Sequence, residues 1–424
     1  VVVGAGPAGI AALRHSAPSS LCFEQTERLS GICDVWEVGG ELFDIGGHLL
    51  HPSYPAFVQE VREALQAVGE DLIVQPRRAF VFFDGQYVPY PFQHQIGRLS
   101  AERRERCIAA LDQPPPPAIR TLADELEAKF GAEVVSIFLE PYMLKSWGIH
   151  PAELAPNFAG DRIEGSAREK MRQMWSSVDD HPPARNAHVH YPSKGAFADI
   201  FKALAQPVAD RIRFRHSVDG LDLANRVVHF KDHPSVSWSG VVCSASLDTS
   251  LAWLEHAGYI APSSRRAMPS FLAAPLTLAA LVYDRRDDSD WQRLYVLDDS
   301  IIFHKLCLHH NDAPCLRERG VACILAEING DRGKASPNVV AEVDRAVRAL
   351  KLVPDNARLT ASDVRHMRRA YPLCRPGERE KYDALIDDVR SQGVHMVGRW
   401  GTWRYLNADE VYLQTAKCLT SLNA

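Results

Sequence analysis

The sequence predicts an α/β fold: a discontinuous, doubly wound Rossmann-like domain that carries a helical insertion and a mainly antiparallel sheet domain. Three observations predict it. The chain opens on an apolar strand stub that runs into a glycine-rich turn and a helix. A charged, helix-periodic stretch follows from about residue 99 to 180, and several short apolar strands occupy the second half. The opening carries the most weight. Val1-Val2-Val3 leads into Gly4-Ala5-Gly6-Pro7-Ala8-Gly9 and then Ile10-Ala11-Ala12-Leu13, with Glu24 where a ribose-binding acid belongs in a dinucleotide site. Gly4 allows the tight turn, Gly6 lets backbone approach a pyrophosphate, and Gly9 permits close helix-sheet packing. The helix N-terminus offers N–H groups and positive dipole to the phosphates.

Between NAD and FAD, the next residues favour FAD. The segment Glu24 to Gly31, with Arg28 inside it, precedes a second glycine-rich turn at Asp44-Ile45-Gly46-Gly47-His48. Gly46 and Gly47 let the main chain pass close to an isoalloxazine ring and deliver His48 beside it. An ordinary hairpin turn with an exposed histidine is the competing account. Further on, Ala79-Phe80-Val81-Phe82-Phe83 and Gln86-Tyr87-Val88 around Asp84-Gly85 read as a β-hairpin ending in Pro89-Tyr90-Pro91-Phe92-Gln93. Helices are predicted over Ala101 to Leu111 and Leu122 to Trp147, separated by a stiff loop at Pro114 to Pro117.

After Tyr191-Pro192 a helix leads to strands at Arg213 to Val218 and Val227 to Phe230, then to the apolar Val241 to Ala245. Strands at Leu276 to Val282, Arg293 to Val296, Ile301 to Phe303 and Val321 to Glu327 make the antiparallel domain. Val394 to Gly401 is a short strand with a glycine turn, whose following helix would point its N-terminus at the flavin. The expected division is 1–78, 186–262 and 374–424 for the three parts of the FAD-binding domain. The hairpin, 79–98, belongs to the sheet domain; 99–185 is the helical substrate and flap insertion; 263–373 is the antiparallel sheet. There are no internal repeats.

Composition excludes several classes. With 424 residues, 46% hydrophobic and 24% charged, the chain is an ordinary globular protein of two or three domains. A net charge of −5 argues against nucleic acid or an anionic membrane surface as a partner, so any anion site must be local. No run is long and apolar enough for a membrane span, and no signal peptide precedes the first strand, so a cytoplasmic location is expected. The chain begins inside a strand without methionine, so a few residues are expected ahead of Val1, and a removed targeting segment stays open. Nine cysteines, none in a C-x-x-C pair, read as reduced and mostly buried. His309, His310 and Cys315 have no second cluster to complete a metal site, and none is expected.

Six strings behind the flavin fingerprint then carry a resemblance. Gly46-Gly47-His48, Tyr90-Pro91-Phe92-Gln93, Pro141-Tyr142-Met143-Leu144-Lys145-Ser146-Trp147, Gly160-Asp161-Arg162, Ala370-Tyr371-Pro372 and the run Gly398 to Asn407 resemble a UDP-galactopyranose mutase in order and spacing over nearly the whole chain. The ending is similar to the bacterial branch and the Tyr-Pro-Phe-Gln string to the eukaryotic one. The resemblance implies a non-redox interconversion of pyranose and furanose forms of a nucleoside-diphosphate sugar, in which N5 of reduced FAD holds the sugar while the diphosphate leaves and returns. It implies an external electron donor such as NAD(P)H or a reductase. The oligomeric state, a homo-oligomer included, is left open.

The resemblance also implies roles. Arg162 matches a flap arginine that grips the diphosphate, Arg285 (with Arg286 close behind) is the choice for a second one, and Tyr371 and Tyr405 match tyrosines whose hydroxyls bind the same group. His48 and Arg399 would serve the flavin, with Val218 among the cofactor contacts. Trp147 would line the sugar pocket, Asn186 would stand near the substrate, and Tyr90, Phe92 and Gln93 would face the base. Three positions depart from the pattern. Met143 replaces an asparagine near the base, Trp403 stands where the bacterial branch has tyrosine, and Asn407 stands where it often has aspartate, so another sugar or base is open. The runner-up is a flavin-dependent oxidase of the amine oxidase or protoporphyrinogen oxidase type, which shares this frame; a flavin-binding protein without catalysis is the third reading.

Overall fold

The computed structural model describes residues 1–158, 160, 163, 165–176, 187–256 and 268–423. A five-stranded, wholly parallel sheet runs in the order Val394–Met396, Val241–Cys243, Val2–Val3, Cys22–Phe23, Ile212–Arg213. The first strand lies in the middle, so the chain winds outward to one side and then returns to build the other. That reversal opens a crevice at the carboxyl ends of the strands. The Pro7–His15 helix crosses this sheet with Ala8 to Leu13 buried, and the Ala408–Asn423 helix packs on it. Gly9 shows why the approach is close: a Cβ there would stand 1.7 Å from the Gly4 carbonyl oxygen.

The second sheet has seven strands, in the order Leu359–Pro372, Ala273–Tyr283, Ala322–Asn329, Lys305–Leu308, Arg293–Val296, Ala79–Phe83, Gln86–Pro89. All its pairings are antiparallel except that of Arg293–Val296 with Ala79–Phe83, which is parallel. Side-chain alternation divides its faces. Ala279, Leu281, Ile324, Ala326, Leu294 and Leu306 go to the outer face, covered by the Val339–Ala349 helix through Val339, Val343 and Val347. Leu278, Ala280, Leu325 and Cys307 go to the inner face with Trp36 and Phe43. A sheet buried on both faces reads as continuous apolar sequence.

The hairpin turns at Asp84 (φ 49°) and Gly85 (φ 74°), left-handed conformations that suit a two-residue connection. Helices Ala101–Asp112, Leu122–Val134, Glu140–Trp147 and Arg168–Trp175 pack with Phe83, Val88 and Phe92 into one cluster. Three sequence expectations change. The single helix over Leu122 to Trp147 breaks at Gly131 (φ 76°) and passes through a wide π-turn at Val135–Leu139. The strand placed at Ile301 to Phe303 lies instead at Lys305–Leu308, because Asp298 to Ser300 and the residues after them form the turn that reverses the chain. The 14-residue strand Leu359–Pro372 had no apolar run to reveal it, since it lies at the sheet edge with only one neighbour. All nine cysteines are free, and no helix among the described residues is long and apolar enough to cross a membrane.

Candidate functional site

One cavity of about 1080 Å³ runs between the carboxyl ends of the parallel strands, the helical insertion and the inner face of the seven-stranded sheet. Drug-sized ligands fill about 300–1,000 Å³, so there is room for an extended cofactor and a second ligand together.

At its first end the wall is glycine. Gly4 (φ 92°) and Gly6 lie on it, and a Cβ on Gly31 would come within 3.3 Å of the Gly6 Cα, so side chains here would close the channel. The Pro7–His15 helix begins at Gly6 with no side-chain cap, which leaves its first N–H groups for a ligand. Glu24 is 8% exposed at the end of Cys22–Phe23, and its Oε2 accepts from the Ala5 N–H at 2.8 Å while Oε1 accepts from Thr26. Arg28 pairs with Asp34 on the same rim, and His216, whose N–H donates to the Glu24 carbonyl, lines the wall with Val218. A glycine channel, a helix N-terminus and an acid at the strand end fit the adenosine diphosphate half of FAD.

The middle of the cavity is built on the Gly46-Gly47-His48 turn. Gly46 has φ 101°, and a Cβ on Gly47 would stand 2.3 Å from Cys307 Sγ and 2.9 Å from Lys305 Nζ. Gly47 and His48 reach the wall, with Gly46 just behind it. The His48 ring stacks on Phe197 at 5.0 Å, and its buried Nδ1 has no partner among the described residues; burial and the nearby Arg399 cation push its pKa down to about 3. The imidazole is therefore neutral, with an orphaned polar atom where a flavin would lie. Arg399 lines the far side, its guanidinium donating to the Leu406 carbonyl at 2.6 and 2.8 Å.

The remaining third is cationic and rich in phenols. Lys305 and Glu327 are cross-strand partners, and Lys305 Nζ lies 2.8 Å from Glu327 Oε1. The Glu327 carboxylate holds the Lys305 pKa well above its ordinary value against the cost of burial; conversely, Lys305 brings Glu327 down to about 2. Arg77 stacks over the Tyr90 ring at 4.4 Å, its Nε buried without a partner among the described residues and its Nη2 3.3 Å from the Tyr295 hydroxyl. Tyr371 and Tyr405 meet edge to face at 5.3 Å, with Arg399 over the Tyr405 ring and Trp147 against it. Burial raises the Tyr142 and Tyr371 pKa values, keeping both as neutral hydroxyl donors. Tyr90, Gln93, Met143, Trp147 and Asn407 all reach this part of the wall.

Three expectations are corrected. Arg285 does not reach the cavity: it follows the Ala273–Tyr283 strand at the outer end of the sheet, half-exposed and paired with Asp284, while Arg286 donates to the Arg317 and Asp287 carbonyls. Phe92 is fully buried between Phe83 and Phe138 and serves the core. Trp403 is likewise buried, donating to the Leu373 carbonyl and stacking on Tyr382, so its departure from the family pattern lies away from the cavity. Arg162 and Asn186 lie outside the described residues. Sequence reasoning missed Arg77, Tyr295, Arg293, Lys305 and Glu327. The signal was a charged residue inside an otherwise apolar strand, as in Lys305-Leu306-Cys307-Leu308 and Leu325-Ala326-Glu327-Ile328.

A family model described as flavin containing amine oxidoreductase matches residues 13–416. Among solved structures, a reduced UDP-galactopyranose mutase superposes with a TM-score of 0.88 at 19% identity, covering 100% of this chain and 94% of that one. A putative protoporphyrinogen oxidase from Exiguobacterium sp. 255-15 follows at TM-score 0.74 and 14% identity, covering 99% of this chain and 97% of that one. A putrescine oxidase with bound putrescine gives 0.62 at 15%, covering 100% of this chain and 98% of that one. At these identities the likeness is one of fold.

Proposed function

The chain belongs to the flavin-containing amine oxidoreductase family, and on that premise we propose that this protein is an FAD-dependent, non-redox mutase. It interconverts pyranose and furanose forms of a nucleoside-diphosphate sugar of the UDP-galactose type, with the reduced flavin, charged by an external donor such as NAD(P)H or a reductase, as the active form. The observation that carries this reading is the charge of the cavity wall beyond the flavin turn. Lys305, Arg77 and Arg399 face it; of the carboxylates nearby, Glu327 is engaged by Lys305 and the Gly47 N–H, and Glu410 and Asp409 accept backbone N–H groups at the start of the last helix. Among the described residues Arg77 and Arg399 have no carboxylate partner, so the wall favours an anionic ligand and disfavours a protonated amine.

When bound and reduced, the flavin supplies a nucleophilic N5 that can take and return a sugar's anomeric carbon without net electron transfer. The chain does the rest. Lys305 and Arg77 hold the diphosphate, and the Tyr371 and Tyr405 hydroxyls donate to its oxygens as charge develops on them. Lys305 takes the part expected of Arg285, and Arg162 remains the proposed flap residue. Trp147 bounds the sugar, while Gln93 and Met143 bound the base, with Tyr90 carrying Arg77 on its ring. His48, kept neutral, would bring no cationic acid to a bound flavin.

The test is an anaerobic incubation of dithionite-reduced protein with UDP-galactofuranose and a panel of other nucleotide sugars, followed by chromatography. Ring interconversion with no net flavin oxidation supports the mutase and identifies its sugar. No isomerisation of any sugar, with oxygen-consuming turnover of an amine or porphyrinogen, would transfer the protein to the oxidases.

A further inference from the structure

Two ion pairs flank the Gly46-Gly47-His48 turn and grip the peptide groups on either side of the Gly47-His48 peptide. Glu327 Oε1 accepts the Gly47 N–H at 2.8 Å while also holding Lys305. Arg293 Nη2 donates to the His48 carbonyl at 3.1 Å, and its Nη1 donates to Asp312 Oδ1 at 2.7 Å. The second pair is asymmetric: Arg293 lies on the cavity wall, its Nε 3.2 Å from where a Gly47 Cβ would stand, whereas Asp312 is wholly buried behind it. Asp312 is fixed in turn by His309 Nδ1, 2.8 Å from its other carboxylate oxygen, and by Gln75, which donates to its backbone carbonyl at 2.5 Å. The His48 ring is held independently, since the Phe197 beneath it donates its N–H to Asp44, whose other oxygen accepts from the Tyr191 hydroxyl at 2.6 Å.

A buried ion pair seldom stabilises a fold more than apolar packing would. What this one does is place a cation toward the cavity and its counter-ion away from it. We propose that Arg293 and Asp312 are positioning residues that hold the His48 carbonyl in one orientation, and with it the turn beside the flavin ring, and set the flavin's reduction potential. Arg293 contributes a fixed positive charge behind the turn, and Asp312 partly cancels it. The inference rests on the flavin reading of the cavity and is independent of the sugar chemistry. An external reductant adds two electrons and one proton to the neutral oxidised ring, leaving one negative charge on it, so a nearby cation favours the reduced form.

The experiment is a reductive titration of the flavin-loaded protein against an indicator dye, for the parent and for Arg293→Met, Arg293→Lys and Asp312→Asn. Removing the cation should lower the reduced-to-oxidised ratio at fixed potential about tenfold, which is roughly 30 mV for a two-electron couple. Asp312→Asn keeps an acceptor for Nη1 but removes the anion, and should move the ratio by about the same factor the other way. Arg293→Lys keeps the charge and should stay within about threefold. A purely structural pair would loosen the turn in both variants and shift them alike; shifts of one sign, or no shift in either, overturn the proposal. Should Arg293→Met fail to fold, the near-isosteric Asp312→Asn decides alone, with an unmoved or lowered ratio counting against it. Protein that binds no flavin would remove the flavin reading itself, and this inference with it.

Discussion

At the scale of single residues, the site is decided by which charges face the cavity and which are cancelled behind it. Lys305 stands at the centre of the inner sheet face, its register with Glu327 and Tyr295 fixed by the strand pairing. Lys305→Met should lower turnover about 10²–10³-fold while flavin stays bound, as measured by steady-state rates beside the visible spectrum. His304 shows the same economy from the other side. Burial lowers its pKa to about 3, and at 2% exposure it is a neutral imidazole beside Glu327. The unfolded chain binds that proton near pH 6.5, so this residue's contribution to stability is full above 6.5 and is lost as pH falls toward 3. At pH 5 the loss is about 2 kcal/mol. Replacement by glutamine removes it, so urea unfolding at pH 7.5 and pH 5 should find the difference between parent and His304→Gln shifted by about that amount in the variant's favour at the lower pH. These residues were hard to read in the sequence because a lone lysine, glutamate or histidine carries no spacing signature; only its strand partners make it a site.

At the scale of elements, legibility followed the strength of local punctuation. The Asp84-Gly85 hairpin, the glycine-rich opening and the Arg293–Val296 strand appear where the sequence puts them, because turn chemistry and apolar runs act over a few residues. The helical insertion was legible in kind and not in its break. Gly131 takes φ 76°, and an added Cβ would stand 2.9 Å from the Ala110 carbonyl carbon and the Leu111 nitrogen. A glycine inside a helical pattern reads as a weak helix residue, yet here it is the hinge between two helices that lets Ala101–Asp112 pack closely. Gly131→Ala should cost about 2 kcal/mol or more, visible as a lowered urea midpoint with an unchanged slope. The edge strand Leu359–Pro372 escaped notice for the opposite reason: one of its flanks faces solvent, so its side chains include Arg365, Arg368 and Arg369 and show no apolar alternation.

At the scale of the whole molecule, the cavity belongs to neither sheet alone. The parallel sheet supplies Gly4, Gly6 and Glu24; the seven-stranded sheet supplies Arg293, Lys305, Glu327 and Tyr371; the insertion supplies Tyr142, Met143 and Trp147. Filling such a cavity with FAD should therefore stabilise the fold as a unit. Apo-protein titrated with FAD to a hundred times its dissociation constant should gain about 2.7 kcal/mol against urea, with probes in both sheets reporting the same shift. A shift confined to one sheet would mean that the cofactor spans less of the cavity than its walls suggest. By itself the sequence determined the α/β class, the glycine-rich opening and the turn at Gly46-Gly47, which depend on short-range patterns of glycine and apolar residues, while Tyr371 and Tyr405, which also reach the cavity wall, were singled out by the family resemblance alone. Only the tertiary structure decided that Arg285 lies at the outer end of its sheet, that Phe92 and Trp403 are core, and that Lys305, Arg77 and Arg293 take the cationic positions. Charge acts through space and not along the chain, so which arginine or lysine faces a ligand is fixed by strand register and packing.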